Sequence, residues 1–429
     1  MNSGEFSYER TAIIPNLSRS ASMDLTAIRR PSKMEEERPH SFFILVCLER
    51  WSDSMSRTAV WLYWLLAVAL FISHSAQPAH AQFIALGDLP GGNFNSTADA
   101  VSADGSTVVG SSSSRYTLEA FRWTARTGIV GLDSLGAPYG HSRAFGVSGD
   151  GAVIVGDTKW PAPDVSWASQ AFRWTAETGM VGLGFLPGTK WTTAVAASMD
   201  GSVIVGYSST TFGSRHTAFR WTAADGMIEL GEKAPGGTST AYDVSADGTV
   251  IVGSIDDEAF RWTPDSGFTL LGADTAAYAI SADGSTIVGQ FADRGAARWT
   301  MEEGWVDLGV PNGLPWSVSG DGSLILTSAR SATGGSILWS LDSGLVDVRE
   351  VLLSQGIGEF ENWSSLTAFD VSADGKTIAG RGINPLGQTE AWVATIPEPS
   401  TFGLAILATC GVVMFVMCRR RAAKTAASG

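Results

Sequence analysis

The side chains best suited to chemistry are four tryptophans that stand beside acidic residues in irregular segments of the chain. The tryptophans are Trp160, Trp167, Trp191 and Trp363. The acidic neighbours are Asp157, Asp164, Glu359 and Glu361. An exposed indole ring packs well on the apolar face of a sugar while carboxylates accept hydrogen bonds from its hydroxyl groups, so this set predicts a carbohydrate-binding surface. The alternative is that each tryptophan anchors its own segment to the fold.

Catalytic and metal-binding motifs are weak by comparison. Two carboxyl groups about 5–10 Å apart can hydrolyse a glycosidic bond, but no acidic pair stands out. His141 and His216 have no cysteine or second histidine at zinc-ligand spacing. The Gly-x-Ser-x-Gly motif of many triad hydrolases is missing from residues 82–396. We therefore interpret both histidines as ordinary loop residues and predict no catalytic residue, no metal and no cofactor.

These residues belong to a region built from a repeat. A Ser-x-Asp-Gly sequence followed by a β-branched run occurs seven times, with Asp-Gly pairs that begin at Asp104, Asp150, Asp200, Asp247, Asp283, Asp321 and Asp374. A period of about 45 residues is typical of stacked supersecondary units. An Asp-Gly pair between two short runs favours a two-residue hairpin turn. The spacing of an EF-hand-like calcium loop is missing, so hairpin formation is favoured over calcium binding.

Each copy reads as four short strands. In the first copy the predicted strands are 98–102, 106–112, 119–124 and 129–135. The third strand repeats as Ala-Phe-Arg-Trp-Thr, and its Phe and Trp share one face, so we expect both to pack between neighbouring units. Arginine recurs between them at Arg122, Arg173, Arg220, Arg261 and Arg298. We expect these arginines to pair with an Asp of the same or the next unit, because the planar guanidinium binds a carboxylate through two donors.

The last copy lacks a fourth strand, and a matching segment precedes the first copy. Residues 83–92 resemble the fourth strand and trailing loop of other copies, such as residues 181–188. An offset of this kind completes a ring, whereas an open β-solenoid, the structural alternative, gains nothing from it. We predict an all-β fold, a seven-bladed β-propeller of four-stranded antiparallel blades, in which the N-terminal strand closes the ring over residues 82–396.

Strand direction predicts where a ligand would bind on such a ring. The short Asp-Gly turns lie on one face, and the longest insertions lie on the opposite face. These insertions are residues 157–170, 185–193, 207–216, 353–369 and 381–389. Variable loops on a rigid scaffold commonly carry function, so we expect the four tryptophans to contribute to a site on that face.

The N-terminal segment carries an export signal. Residues 58–72 form an apolar run that follows Arg57 and precedes Ala79 and Ala81. This arrangement is typical of a secretory signal peptide, here residues 55–81, cleaved before Gln82. Residues 1–54 are then either upstream of a true start at Met55 or a disordered cytoplasmic leader.

The C-terminal segment, residues 397–429, carries a second signal. It has three parts, which are Pro397, Glu398 and Pro399, an apolar run over residues 401–418, and Arg419, Arg420 and Arg421. Eighteen helical residues span about 27 Å, enough for one transmembrane helix with the arginines in the cytoplasm. This tail resembles the PEP-CTERM sorting signal of Gram-negative bacteria, and the repeats are similar to the HAF family of extracellular repeats. The resemblance implies processing by an exosortase, a membrane-anchored precursor and an association with exopolysaccharide and biofilm matrix.

Charge and cysteine usage narrow the partners further. Between residues 82 and 396, 34 acidic against 17 basic residues leave a net charge of −17, which argues against nucleic acid. Cys47, Cys410 and Cys418 all lie outside that region, so it contains no disulfide. We predict an exported cell-envelope or extracellular-matrix protein that reaches the surface through the secretion machinery and binds a matrix glycan or protein without catalysis. The alternatives are an extracellular polysaccharide hydrolase or lyase, and a purely structural surface protein.

Overall fold

The computed structural model describes residues 81–396, except for 116, 136–139, 163–164, 212–214, 232–236, 292–293 and 330–334. The predicted leader, the sorting tail and the signal peptide up to residue 80 lie outside the described residues. In the described ranges, no helix has the length and apolar character needed to cross a membrane. The fold there is all-β, with antiparallel four-stranded sheets and one short helix.

In the described part of the chain, 28 strands form seven consecutive groups of four, which we number as units 1 to 7. Unit 1 contains β2 (Gly91–Val101), β3 (Val108–Ser114), β4 (Leu118–Thr124) and β5 (Gly128–Gly131). Unit 2 contains β6 (His141–Val147), β7 (Ile154–Ala162), β8 (Val165–Thr175) and β9 (Gly179–Gly182). Unit 3 contains β10 (Trp191–Ala197), β11 (Val203–Ser209), β12 (His216–Thr222) and β13 (Gly226–Glu229).

The remaining units repeat this order. Unit 4 contains β14 (Ser239–Val244), β15 (Ile251–Ile255), β16 (Glu258–Thr263) and β17 (Gly267–Ala273). Unit 5 contains β18 (Thr275–Ile280), β19 (Thr286–Phe291), β20 (Gly295–Thr300) and β21 (Gly304–Val310). Unit 6 contains β22 (Pro315–Val318), β23 (Leu324–Ala329), β24 (Gly335–Ser340) and β25 (Gly344–Asp347), followed by helix α1 (Val348–Ser354). Unit 7 contains β26 (Ser365–Val371), β27 (Thr377–Ile383), β28 (Thr389–Thr395) and β1 (Gln82–Gly87).

The expected pairing of the N-terminal strand with the last unit is confirmed. Strand β1 pairs antiparallel with β28, with Phe83 opposite Ala394 and Ala85 opposite Trp392. The Phe83 ring lies 5.6 Å from that of Trp392 and 5.3 Å from that of Trp363, measured between ring centroids. The first strand of the described chain therefore supplies both the missing fourth strand of unit 7 and an aromatic side chain for its core.

The prediction of a two-residue Asp-Gly turn was wrong, because the turn has four residues. In unit 4 the Ser245 N–H donates to the Val250 carbonyl (2.9 Å), so four residues separate the two strands. The Ser245 hydroxyl accepts from the Val250 N–H (3.0 Å) and donates to the Asp247 carboxylate (2.6 Å). Only Gly248 of this loop has a positive φ, of 73°. The side chains of Ser and Asp thus hold the turn by bonding its own backbone, as short polar side chains commonly do.

Backbone hydrogen bonds join each of these turns to the next. The acceptor is always the carbonyl of the residue before Asp, so that the Ala246 N–H of unit 4 donates to the Ala282 carbonyl of unit 5 (3.0 Å). The links continue through unit 7, where the Asp374 N–H donates to the Ala103 carbonyl of unit 1 (3.3 Å). The sequence of contacts therefore returns from the last unit to the first.

Apolar packing follows the same cyclic order, with one buried cluster between each neighbouring pair of units. Phe121, Phe172, Phe219 and Phe260 are fully buried in these clusters. Three of their tryptophan partners, Trp174, Trp221 and Trp262, pack at the edge and remain half-buried, whereas Trp123 is buried. The expected role of the repeated aromatics in packing between units is confirmed, with Phe more deeply placed than Trp.

The repeated arginine pairs with an acid of its own unit in two places. Arg220 lies 3.5 Å from Asp225, and Arg298 pairs with Glu303, both acids of the turn between the third and fourth strands. Arg122 instead donates to the Thr107 hydroxyl (3.3 Å). The expectation of a carboxylate partner therefore holds in units 3 and 5, with Glu in place of Asp in unit 5.

Phe219→Ala is expected to lower the free energy of unfolding by about 3–5 kcal/mol, because it removes a large, fully buried side chain between units 2 and 3. Trp221→Ala should cost less, because part of that ring stays in solvent in the folded protein. Urea unfolding followed by circular dichroism measures both. Equal losses for the two variants would contradict this ranking of the core.

Candidate ligand-binding channel

The first strands of the seven units surround a common space. Each of β2, β6, β10, β14, β18, β22 and β26 contacts the first strand of the unit before it and of the unit after it, and β26 contacts β2. A cavity of about 150 Å³ is lined by residues from all seven units, among them the residues that precede the Asp-Gly pairs. We call the space that the first strands enclose the channel, and the cavity lies at its Asp-Gly end.

Each first strand carries a β-bulge at the same place, where the register shifts by one residue against the second strand. The unpaired residues are Asp99, Phe145, Val195, Tyr242, Tyr278, Trp316 and Phe369. A bulge re-aims the side chain of its extra residue. The ring centroids of Tyr242 and Tyr278 are 5.2 Å apart and those of Trp316 and Phe369 are 5.9 Å apart, so bulge residues of adjacent units meet one another across the channel wall.

These residues divide the channel into two sides. Units 4 to 7 contribute four aromatic side chains in succession, Tyr242, Tyr278, Trp316 and Phe369, which we call the aromatic arc. Trp316 is 41% exposed, which is unusual for a ring of that size on an inner strand. Units 1 to 3 place Asp99, Phe145 and Val195 at the same position, and charged side chains of the neighbouring units surround Asp99. A wall that is aromatic on one side and charged on the other suits a ligand with both an apolar face and polar groups.

Asp99 lies between two arginines from the neighbouring units. Arg143 of unit 2 and Arg381 of unit 7 both favour its ionised form, yet burial outweighs them and raises the pKa of Asp99 to about 7. The Asp99 side chain is half-buried, so part of it still reaches solvent. The Arg143 guanidinium lies 5.8 Å from the Phe145 ring centroid, and that of Arg381 lies 5.4 Å from the Phe369 centroid.

Further polar groups extend this side of the channel into units 2 and 3. Asp157 is buried, accepts from the Ser169 hydroxyl (3.2 Å) and lies 3.5 Å from the Lys159 ammonium. The Tyr207 and His216 rings stack with centroids 4.3 Å apart. Burial, with Lys159 and Arg143 nearby, lowers the pKa of His141. The two histidines begin strands β6 and β12, so the loop interpretation drawn from the sequence was wrong.

Deeper in the channel, two carboxylates hold neighbouring first strands together. Asp243 accepts from its own Val244 N–H (2.8 Å) and from the Ile280 N–H of unit 5 (2.9 Å). Burial raises the pKa of Asp243 to about 7 against these hydrogen bonds, and the charge of Asp370 adds to the rise.

The second carboxylate has the same role at another junction. Asp370 accepts from the Val101 N–H of unit 1 (2.8 Å) and from the Ser317 hydroxyl (2.5 Å), and burial raises its pKa to about 6. Both carboxylates thus bond backbone N–H groups of the first strands close to the bulges.

The four tryptophans singled out in the sequence do not form one surface. Trp363 is 6% exposed and packs edge-on against Phe83, so it belongs to the core between units 6 and 7. Trp191 is half-buried at the start of β10 and lies opposite Ser169 of β8, two residues beyond Trp167. Trp160 and Trp167 lie in β7 and β8, which extend the hairpin where a loop was expected, and their side chains fall outside the described part.

The aromatic arc was missed by sequence reasoning, although the sequence carries a signal for it. The third residue before the serine of Ser-x-Asp-Gly is aromatic in five of the seven copies. This position reads as an ordinary inner-strand residue until the bulge is known. Of the processing residues, Ala81 is described and packs against the core between units 6 and 7, directly before β1. The others, Ala79, Pro397, Glu398, Pro399, Arg419, Arg420 and Arg421, lie outside the described residues.

Across the described ranges, no group of three or more His, Cys, Asp or Glu side chains is arranged to hold a metal ion. No family model and no curated protein matches the chain. Among solved structures it is similar to TolB from Acinetobacter baumannii, with 14% identity and a TM-score of 0.39 over 57% of this chain and 63% of that chain. The chain thus matches less than two thirds of the length of TolB, and a likeness of this extent defines neither fold nor function.

The buried carboxyls predict how stability changes with pH. The folded pKa of Asp243, about 7, is above the value of about 3.8 in the unfolded chain, so the folded state binds the proton more tightly. The contribution is therefore present at low pH and is lost as the pH rises from about 4 to about 7. At pH 8 the buried Asp243 is ionised and destabilises the wild-type protein, whereas Asn stays neutral. Relative to wild type, Asp243→Asn should therefore be more stable at pH 8 than at pH 5. Thermal unfolding at the two pH values checks this, and an identical effect at both would contradict it.

Proposed function

We propose that residues 82–396 form a closed, seven-bladed β-propeller that binds a glycan of the extracellular matrix in its channel without catalysing a reaction. The cyclic order of the contacts between units supports the closed ring. The pairing of β1 with β28 supports closure by the N-terminal strand. A ring of four-stranded units also lies within the usual range of propeller blades.

The observation that carries the binding role is the division of the channel wall. The aromatic arc offers flat rings, of which Trp316 is the most exposed, to the apolar face of a sugar ring. The wall that adjoins the arc, from unit 7 through unit 1 to unit 2, offers Arg381, Asp99 and Arg143 as hydrogen-bonding partners for hydroxyl or acidic groups. A few placed polar groups beside aromatic side chains are typical of small-ligand sites.

The proposed location follows from the two terminal signals. Cleavage before Gln82 leaves β1 at the start of the mature chain, where it is free to complete unit 7. Residues 397–429 then act as a PEP-CTERM-like tail that holds the precursor in the membrane of a Gram-negative bacterium until an exosortase removes it. The product belongs to the cell surface or the matrix, where exopolysaccharide is the abundant ligand.

One observation favours a second candidate, a polysaccharide hydrolase or lyase. Asp99 has a pKa of about 7 and faces the channel, which are properties of a general acid that works near neutral pH. This role requires release of product, which binding alone does not. Asp99→Asn would then abolish release while it leaves the fold intact.

Glycan-array binding combined with a reducing-sugar assay tests the proposal. The wild-type chain should bind a glycan and release no sugar. Trp316→Ala should abolish binding at a smaller cost in thermal stability than the loss of a fully buried aromatic residue, because Trp316 is 41% exposed. The matched control is Leu345→Ala, which removes a 45% exposed side chain from the outermost strand of the same unit.

Each outcome points to one function. Release of product would establish the hydrolase or lyase. Capture of a matrix protein with no glycan bound would replace the glycan by a protein ligand. If the chain neither binds a glycan nor releases sugar, the purely structural role is favoured. If Trp316→Ala and Leu345→Ala weaken binding equally, the ligand does not bind in the channel.

The proposed processing makes a separate prediction. Mass spectrometry of surface or secreted material should recover a peptide that begins at Gln82. It should recover no peptide from the apolar and basic parts of the tail, residues 401–421. Inactivation of the exosortase should keep the tail attached and the protein in the membrane fraction. A mature chain that still contains Ala79 and Ala81 would contradict the cleavage site.

A further inference from the structure

The charged side of the channel contains two guanidinium groups whose donors the protein does not use. Among the described residues, neither Arg143 nor Arg381 makes a hydrogen bond or a salt bridge, although both lie close enough to Asp99 to favour its ionised form. Each instead lies over an aromatic ring, Phe145 or Phe369. A cation–π contact of this kind holds the guanidinium beside the ring and leaves its N–H donors available to an oxygen ligand.

These arginines stand out against the charge of their surroundings. Residues 82–396 carry 34 acidic and 17 basic side chains, and two of the repeated strand arginines, Arg220 and Arg298, pair with an acid of the same unit. Arg143 and Arg381 come from units 2 and 7 and meet beside unit 1. Two unused planar donors at one place in an acidic protein are suited to a carboxylate, which guanidinium groups bind through paired hydrogen bonds.

We propose that the channel recognises the carboxylate of an acidic sugar, with Arg143 and Arg381 as its donors and the aromatic arc as the platform for the sugar ring. This inference rests on the proposed function and names the class of glycan. Trp316, Phe369 and Arg381 follow one another through ring and cation–π contacts, so a sugar ring stacked on the arc would lie next to Arg381, with Arg143 on the far side of Asp99. A neutral glycan makes the stacking contact alone.

Asp99 gives the site a dependence on pH. The titratable and charged groups on the strands around it are His141 and Arg143 on β6, Asp157 and Lys159 on β7, Asp370 on β26, Arg381 on β27 and Glu390 on β28. Because the pKa of Asp99 is about 7, the group is neutral below that value and can donate its proton to a ligand carboxylate. Above it, Asp99 is charged and repels the same carboxylate. Affinity for an acidic sugar should therefore fall as the pH rises from 6 to 8.

Calorimetric titration of the full chain with tetragalacturonate and with its methyl ester tests the inference. Arg143→Gln and Arg381→Gln should each weaken binding of the acid by about tenfold, the value of one lost charged hydrogen bond, and leave binding of the ester unchanged. Asp99→Asn should remove the decline between pH 6 and pH 8. Arg126→Gln, at an exposed turn of unit 1, is the control and should change neither titration. Unchanged thermal unfolding shows that each variant is folded.

The outcomes separate this inference from the proposed function. Equal weakening of acid and ester by the arginine variants would overturn carboxylate recognition. If the ester binds as tightly as the acid and its binding depends on Trp316, carboxylate recognition is also overturned. The proposed glycan-binding role would then still be supported. Failure of every glycan to bind would overturn both. A polyglutamate peptide that binds more tightly than tetragalacturonate would replace the acidic sugar by an acidic protein.

Discussion

The structure depends on one constraint, which is that each four-stranded sheet is apolar on both faces and must be covered on both. Phe260 fills the cluster between units 3 and 4, while Val252 of the same sheet packs against unit 5. An isolated unit would expose both faces, and an open row would expose one face at each end. A cyclic order of units covers both faces of every sheet. In that order unit 7 packs against unit 1, and β1 supplies the fourth strand of unit 7. Hydrogen bonds between the Asp-Gly turns repeat the same cyclic order at the backbone.

The channel follows from this arrangement. The inner edge of each first strand has no further strand beside it, so its backbone groups need other partners. The bulge in every unit turns one side chain towards the channel, and in units 4 and 7 the next residue is an aspartate that bridges to the neighbouring strand. Aromatic and charged side chains occupy the inner-strand positions that make no hydrogen bond between units. The inner edge that the fold leaves open therefore carries Trp316 in unit 6 and Asp99 in unit 1.

The sequence predicted those features that local spacing determines. The seven copies, the four strands of each, the buried phenylalanine and the pairing of β1 with the last unit all follow from the repeat. The four-residue turn was missed because the side chains of Ser245 and Asp247 replace the expected two-residue turn. Helix α1 was missed because it is only seven residues long. Trp363 was assigned to a surface because its segment is irregular, yet burial against Phe83 needs a contact between distant parts of the chain. The aromatic arc depends on a bulge, which interrupts the alternation from which side-chain direction is read.

Hydrogen exchange of the mature chain tests the cyclic arrangement most directly, because it reports whether β1 is paired in solution. Peptides that cover residues 82–89 should be protected to the same extent as those that cover β28, and both should lose protection in the same cooperative transition. Phe83→Ala should weaken the protection of both strands together. Exchange of residues 82–89 at the rate of an unstructured chain, while β28 remains protected, would contradict closure by the first strand and with it the shared channel.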